Sequence, residues 1–146
     1  MKNNDLPVVR AIVERAEPSD QVATVAEELD SVALRKLIGR CDLFVASRFH
    51  SMVASLAMGV PTMVCGWGHK YREVLDEFGL GEFSFDCSEL SLEALCEMFG
   101  RLAEHQGEVR AAIARALPSI MDRARSQLDA VVALLRGGRS SEGSSA

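Results

Sequence analysis

Apolar positions along this chain follow two alternating rhythms. Leu6, Val9, Ile12 and Val13 recur at helical spacing, and Pro7 suits a first turn, so a helix is predicted over 5–16. Gln21 to Val25 reads as a short strand. Asp30 or Ser31 can cap a helix that carries Leu34, Leu37 and Ile38 on one face and stops at Gly39. Leu43 to Ala46 is an apolar strand, Phe49 to Met58 a helix ended by Gly59, and Thr62 to Cys65 a second apolar strand. His69 to Phe78 reads as a helix closed by Gly79, Phe83 to Phe85 as a weak strand, and Ser91 as the cap of a helix running to about Glu104. Val109, Ile113, Leu117, Ile120, Ala124, Leu128, Val131 and Leu135 then mark one long helical stretch. Pro118 is expected to kink or break it, because its ring removes a backbone donor and crowds the preceding turn.

Short apolar strands alternating with helices predict an α/β fold, a parallel sheet with helices on both faces. The strands are continuous apolar runs, as burial on both faces requires. One domain is predicted over 1–136. It is followed by a Gly/Ser tail, 137–146, whose composition cannot bury a core.

Composition adds bounds. Of 146 residues, 48% are hydrophobic and 25% charged, ordinary for a globular protein. A formal charge of −5 argues against nucleic acid as the partner, which needs a basic face, but leaves room for a small anion held by a local cluster. Cys41, Cys65, Cys87 and Cys96 have no C-x-x-C spacing and no paired His, so no metal is expected and the thiols read as small hydrophobes. No apolar run reaches membrane-spanning length and Met1 to Asp5 is polar, so a cytoplasmic location is expected.

The chemistry gathers at one seam. Ser47-Arg48-Phe49-His50 lies where an apolar strand gives way to a helix, and ligands of such sheets bind outside the strand C-termini. Free N–H groups open that helix and draw anions. Arg48 adds a planar fork of donors suited to carboxylate or phosphate, and His50 a group able to move a proton near neutral pH. The next strand ends in Gly66-Trp67-Gly68, followed by His69 and Lys70, a second basic pair on the same edge. Taken singly, Arg48 reads as a salt-bridge residue, His50 as a satisfied core histidine, and His69-Lys70 as a solvated helical turn. Their convergence favours an anion pocket with acid–base capacity. Ser51, Ala54, Ser55, Ala57 and Gly59 read as small residues that let helix and sheet approach. Tyr71, Arg72 and Glu73 read as helix surface and packing, and His105 as solvated loop.

With S-R-F-H at 47–50, G-V-P at 59–61, His69-Lys70 and the preceding "LRKLIGRCD", the stretch from about Leu29 to Leu80 resembles the C-terminal half of the polysaccharide pyruvyl transferase family. The resemblance implies a Rossmann-like domain, one of two in a GT-B-like fold with the active site between them. It implies an enzyme that moves the pyruvyl group of phosphoenolpyruvate onto a sugar as a ketal, in cell-wall or exopolysaccharide biosynthesis. Carried over by motif, Arg48 and His50 become the catalytic pair and Arg48, Phe49, His50 and Ser51 the phosphoenolpyruvate contacts. His69, Lys70 and Trp67 become phosphate or acceptor contacts. No cofactor is implied beyond the donor substrate, and the acceptor is a saccharide or lipid-linked saccharide. The family's N-terminal domain has no counterpart in these residues. The expectation is a back half truncated at its N-terminus, needing that missing domain for activity.

Two other readings share the architecture. A nucleotide-sugar glycosyltransferase or epimerase half-domain would need an acidic residue to hold a ribose late in the ligand loops. Glu73 lies inside a helix and Asp86 follows a weak strand, so neither fits well. A non-catalytic module that binds a partner through the long C-terminal helix would ignore phosphoenolpyruvate.

Overall fold

The computed structural model describes residues 5–16, 22–25, 27–66, 68–86, 88 and 91–138. Its elements run α1 (Leu6–Arg15), α2 (Ser31–Ile38), β1 (Phe44–Ala46), α3 (Phe49–Ala57), β2 (Thr62–Gly66), α4 (Lys70–Asp76), β3 (Ser84–Asp86), α5 (Leu92–Glu104) and α6 (Gln106–Gly138), with a 3-10 turn at Gly81–Phe83 before β3. Contacts divide the chain into two compact units, 1–33 and 34–146. The first holds α1, whose Pro7 stands in the first turn as its fixed φ favours. The second holds the sheet, the core and every candidate site residue.

Three strands pair in the order β1-β2-β3, all parallel, with Ala46 opposite Val64 and Gly66 opposite Asp86. Helices cover both faces. Thr62 faces α3, where its Oγ1 lies 2.8 Å from the Ser55 hydroxyl and 2.8 Å from the Val60 carbonyl. On the opposite face Met63 and Val45 line an apolar cavity with Leu95 and Phe99 of α5. This is the predicted α/β class, on a small sheet. Only β2 is buried along nearly its whole length; Val45 on β1 is half exposed.

The core gathers Met52 and Leu56 of α3, Met63 and Val64 of β2, Leu75 of α4, Leu102 of α5 and Ile113 of α6, each at most 1% exposed. Two helix ends are closed by contacts between near neighbours. Asp30 Oδ1 accepts from the N–H groups of Val32 and Ala33, capping α2 as its side chain predicts. Gly59, with φ 73°, ends α3 in a Schellman turn: Val60 N–H donates to the Ser55 carbonyl and Gly59 N–H to that of Leu56. The chain then passes straight into β2. Of the small residues on α3, Ala54 and Ser55 are the ones buried against the sheet; Ser55 also donates to the Met52 carbonyl, so it joins helix to strand as well as filling space.

Leu75 anchors the end of α4. Its side chain is fully buried, and its carbonyl accepts from Phe78 and Leu80. Leu75→Ala is expected to cost about 2–5 kcal/mol of stability, the range for a buried Leu whose cavity cannot close. Chemical denaturation checks it; a loss below about 1 kcal/mol would mean that the site collapses around the smaller residue.

Two sequence expectations fail here. Val22–Val25 is not a strand: these residues are exposed, and among the described residues no strand runs beside them to complete a ladder. Gln21 lies outside the described residues. Pro118 does not break α6, which continues through it. The helix is gripped on both sides of the proline, by Val109 and Ile113 in the core before it and by Leu117 and Ile120 against the core around it. Arg123 adds an ion pair to Glu77 one turn beyond. Packing on both flanks outweighs the one lost helical hydrogen bond. From Met121 to Arg136 every α6 side chain is exposed, Leu128, Val131 and Leu135 included. The helix also takes in Gly137 and Gly138, the first residues of the predicted tail; 139–146 lie outside the described residues.

Candidate functional site

Because the strands are parallel, all three C-termini open on one edge. β1 delivers Ser47 and Arg48 there, β2 delivers Gly68, His69 and Lys70, and β3 ends at Asp86. Trp67 lies outside the described residues.

Arg48 stands at the N-cap of α3 in extended conformation, φ −118° and ψ 137°, with no side-chain cap on the helix. Its carbonyl accepts from Met52 N–H at 3.1 Å and from Ser51 Oγ at 2.8 Å, so the Ser51 hydroxyl is turned back to tie the first turn to the strand. The arginine side chain is exposed. With no side chain capping this nine-residue helix, the first-turn N–H groups, including that of Ser51, are left for solvent or a ligand.

Phe49 and His50 split in direction. Phe49 is half-buried and packs on the core; His50 is exposed, its imidazole edge-on to the Phe49 ring with centroids 6.1 Å apart and planes at 88°. Phe49 also meets Tyr71 at 5.7 Å and 70°. Lys70 Nζ lies 5.4 Å from the Phe49 centroid and 5.5 Å from that of Tyr71. The Phe49 ring thus joins His50, Lys70 and Tyr71, and Arg48 and Ser51 flank it along the same turn. His69 occupies the N-cap of α4, exposed, and its imidazole makes no hydrogen bond or ion pair with the described residues. Tyr71, read from the sequence as packing, is buried as that predicts, but it also builds this cluster.

Asp86 completes the edge on β3. Its Oδ1 accepts from Ser88 N–H at 2.8 Å and Ser88 Oγ at 2.7 Å, an Asx turn held on that one oxygen. Those two donors, the backbone one foremost, lower its pKa from the usual aspartate value. A lowered folded-state pKa stabilises the fold above the unfolded value and is lost as pH falls through the folded one. An acid titration followed by carboxyl NMR is expected to find Asp86 titrating below ordinary aspartates, and Ser88→Ala to raise it part of the way back. A midpoint at the ordinary value would dissolve the turn.

A cleft of about 480 Å³ lies away from this edge, beside the 3-10 turn that precedes β3. Four of the side chains that line it pair with one another, Arg101 with Glu82 at 3.4 Å and His105 Nδ1 with Glu108 at 3.5 Å, and Arg115 lines it as well. His105, read as solvated loop, is exposed at the junction of α5 and α6. Among the described residues no three His, Cys, Asp or Glu side chains gather as metal ligands, and no helix is long and apolar enough to cross a membrane.

Compared with known proteins, residues 2–69 match the sequence model of the polysaccharide pyruvyl transferase family. The resemblance read from the S-R-F-H and G-V-P segments is thereby borne out, and the matched interval holds the seam and ends at His69, one residue before Lys70. The chain is also similar to the amylovoran biosynthesis protein AmsJ of Erwinia amylovora, 24% identical over 114 residues. That alignment takes in 78% of this chain and 28% of the relative, so the chain spans well under half of that protein. No solved structure matches the chain significantly.

Proposed function

From the family match over the seam we propose that this chain carries the donor-binding half of a pyruvyl transferase site, acting on phosphoenolpyruvate. The observation that supports it most is the meeting of two strand ends on the Phe49 ring, His50 following β1 and Lys70 following β2, with the exposed Arg48 next to Phe49 at the cap of α3. Phosphoenolpyruvate carries a carboxylate and a phosphate. The Arg48 fork and the uncapped first turn of α3 suit one, and the Lys70 ammonium the other. Trp67 and His69 are assigned to the acceptor side.

The reaction follows from the substrate. A sugar hydroxyl adds to C2 of the enol phosphate, losing its proton to solvent, while His50 gives a proton to C3 and turns the methylene into a methyl group. The C2–O bond to phosphate then breaks, inorganic phosphate leaving with the electron pair, and a second hydroxyl of the same sugar adds to C2 and gives its proton to the departing phosphate. The product is a cyclic ketal bridging two oxygens of a saccharide or lipid-linked saccharide. No cofactor enters this balance. The remaining acceptor contacts belong to a second Rossmann-like domain, the other half of a GT-B-like pair.

Calorimetric titration of the chain tests the reading. Saturable binding of phosphoenolpyruvate, with a nucleotide sugar giving no heat, is the expected result. Binding of the nucleotide sugar instead would move the chain to the glycosyltransferase reading.

A further inference from the structure

Tyr71 has no part in the transfer step, yet it sits where two seams meet. It is 7% exposed and second in α4. A Cβ placed on Gly66, the last residue of β2, would lie 2.7, 2.8 and 2.9 Å from three atoms of its ring. Only a bare backbone lets that ring lie so close to the strand end. From this seat Tyr71 presents itself to Phe49 at 5.7 Å, and the Lys70 ammonium rests over both rings, one contributed from each seam. A core-filling role would account for the buried ring. It would not account for the glycine beneath it together with an ammonium within cation–π distance of both rings.

We infer that Tyr71, seated on Gly66, is a positioning residue: it fixes the Phe49 ring and the Lys70 ammonium so that Lys70 stands beside Arg48 and His50 as a second cationic contact for an anionic ligand. The stack itself depends only on the geometry. Its ligand, phosphoenolpyruvate, rests on the function proposed above.

The chain has three lysines, Lys2, Lys36 and Lys70, so their ε-methylene signals are readily assigned by proton–carbon NMR. In the wild type the Lys70 signal is expected upfield of that of Lys36, shifted by the currents of two rings. Tyr71→Phe keeps both rings and keeps the shift. Gly66→Ala, which pushes the Tyr71 ring away, moves the Lys70 signal toward that of Lys36 and weakens phosphoenolpyruvate binding several-fold. Phe49→Leu, which removes one ring without opening the strand, also reduces the shift and serves should Gly66→Ala fail to fold. A wild-type Lys70 signal coincident with that of Lys36 overturns the stack. So does a folded Gly66→Ala that keeps both shift and affinity. An upfield Lys70 in a wild type that ignores phosphoenolpyruvate upholds the stack and overturns the pyruvyl-transfer reading, so the two fail separately.

Discussion

Titrated with phosphoenolpyruvate, Arg48→Ala is expected to bind roughly 10- to 100-fold more weakly than the wild type. Charge-assisted hydrogen bonds contribute about 1.5–3 kcal/mol each net, and a bidentate fork on a carboxylate or phosphate sits high in that range. At about 1.4 kcal/mol per tenfold in affinity, that gives the stated loss. Arg48→Lys separates charge from shape. A point charge on a flexible stem keeps the long-range attraction and loses the planar pairing, so it should recover only part of the affinity. The Arg48 side chain is exposed, where even an ion pair contributes little, so neither change should lower stability by more than about 1 kcal/mol. Equal affinity in wild type and Arg48→Ala would take the donor away from this seam. Full recovery in Arg48→Lys would leave a general electrostatic pull in place of a shaped site.

The seam was legible in the sequence because its parts obey local rules. An apolar run of strand length, a basic residue, and a small-residue helical pattern closed by Gly59 together specify where β1 ends and α3 begins, and the structure places them within a residue of that reading. Asp30 and Ser91 were legible as caps for the same reason, since a cap is a contact between near neighbours. What depended on distant partners was not. Val22–Val25 has strand composition and no strand beside it, and Pro118 has a breaker's chemistry inside a helix held by packing on either side. Tyr71 shows the limit most clearly. Its helical position predicts packing, but its contact with Gly66 crosses a strand-to-helix loop and its contact with Phe49 crosses between two seams. No spacing rule connects residues 49, 66 and 71. A glycine closing an apolar strand just before an aromatic helix start was the one available signal.

If the proposed function holds, His50→Asn is expected to lower phosphate release from phosphoenolpyruvate, in the presence of an acceptor diol sugar and the second domain proposed above, by roughly 10²- to 10⁴-fold, the range for a general acid. Asparagine fills similar space and can still donate a hydrogen bond, but it has no proton to give to C3. The imidazole leans edge-on against Phe49 and makes no hydrogen bond or ion pair with the described residues, so its loss disturbs no network in the fold. Affinity for phosphoenolpyruvate should therefore change by less than about threefold, with the loss confined to turnover. That split decides between two roles. If affinity falls and turnover at saturation holds, His50 binds the anion and the proton comes from elsewhere on the same edge, where exposed His69 is the next imidazole. His69→Asn would then carry the large loss. If turnover falls in His50→Asn alone and solvent deuterium slows the wild type while leaving the residual rate of the variant unchanged, proton transfer from His50 limits the first step. Turnover unchanged in both variants would remove general acid catalysis by either histidine and leave the seam as a binding surface, with the proton supplied from the other half of the site.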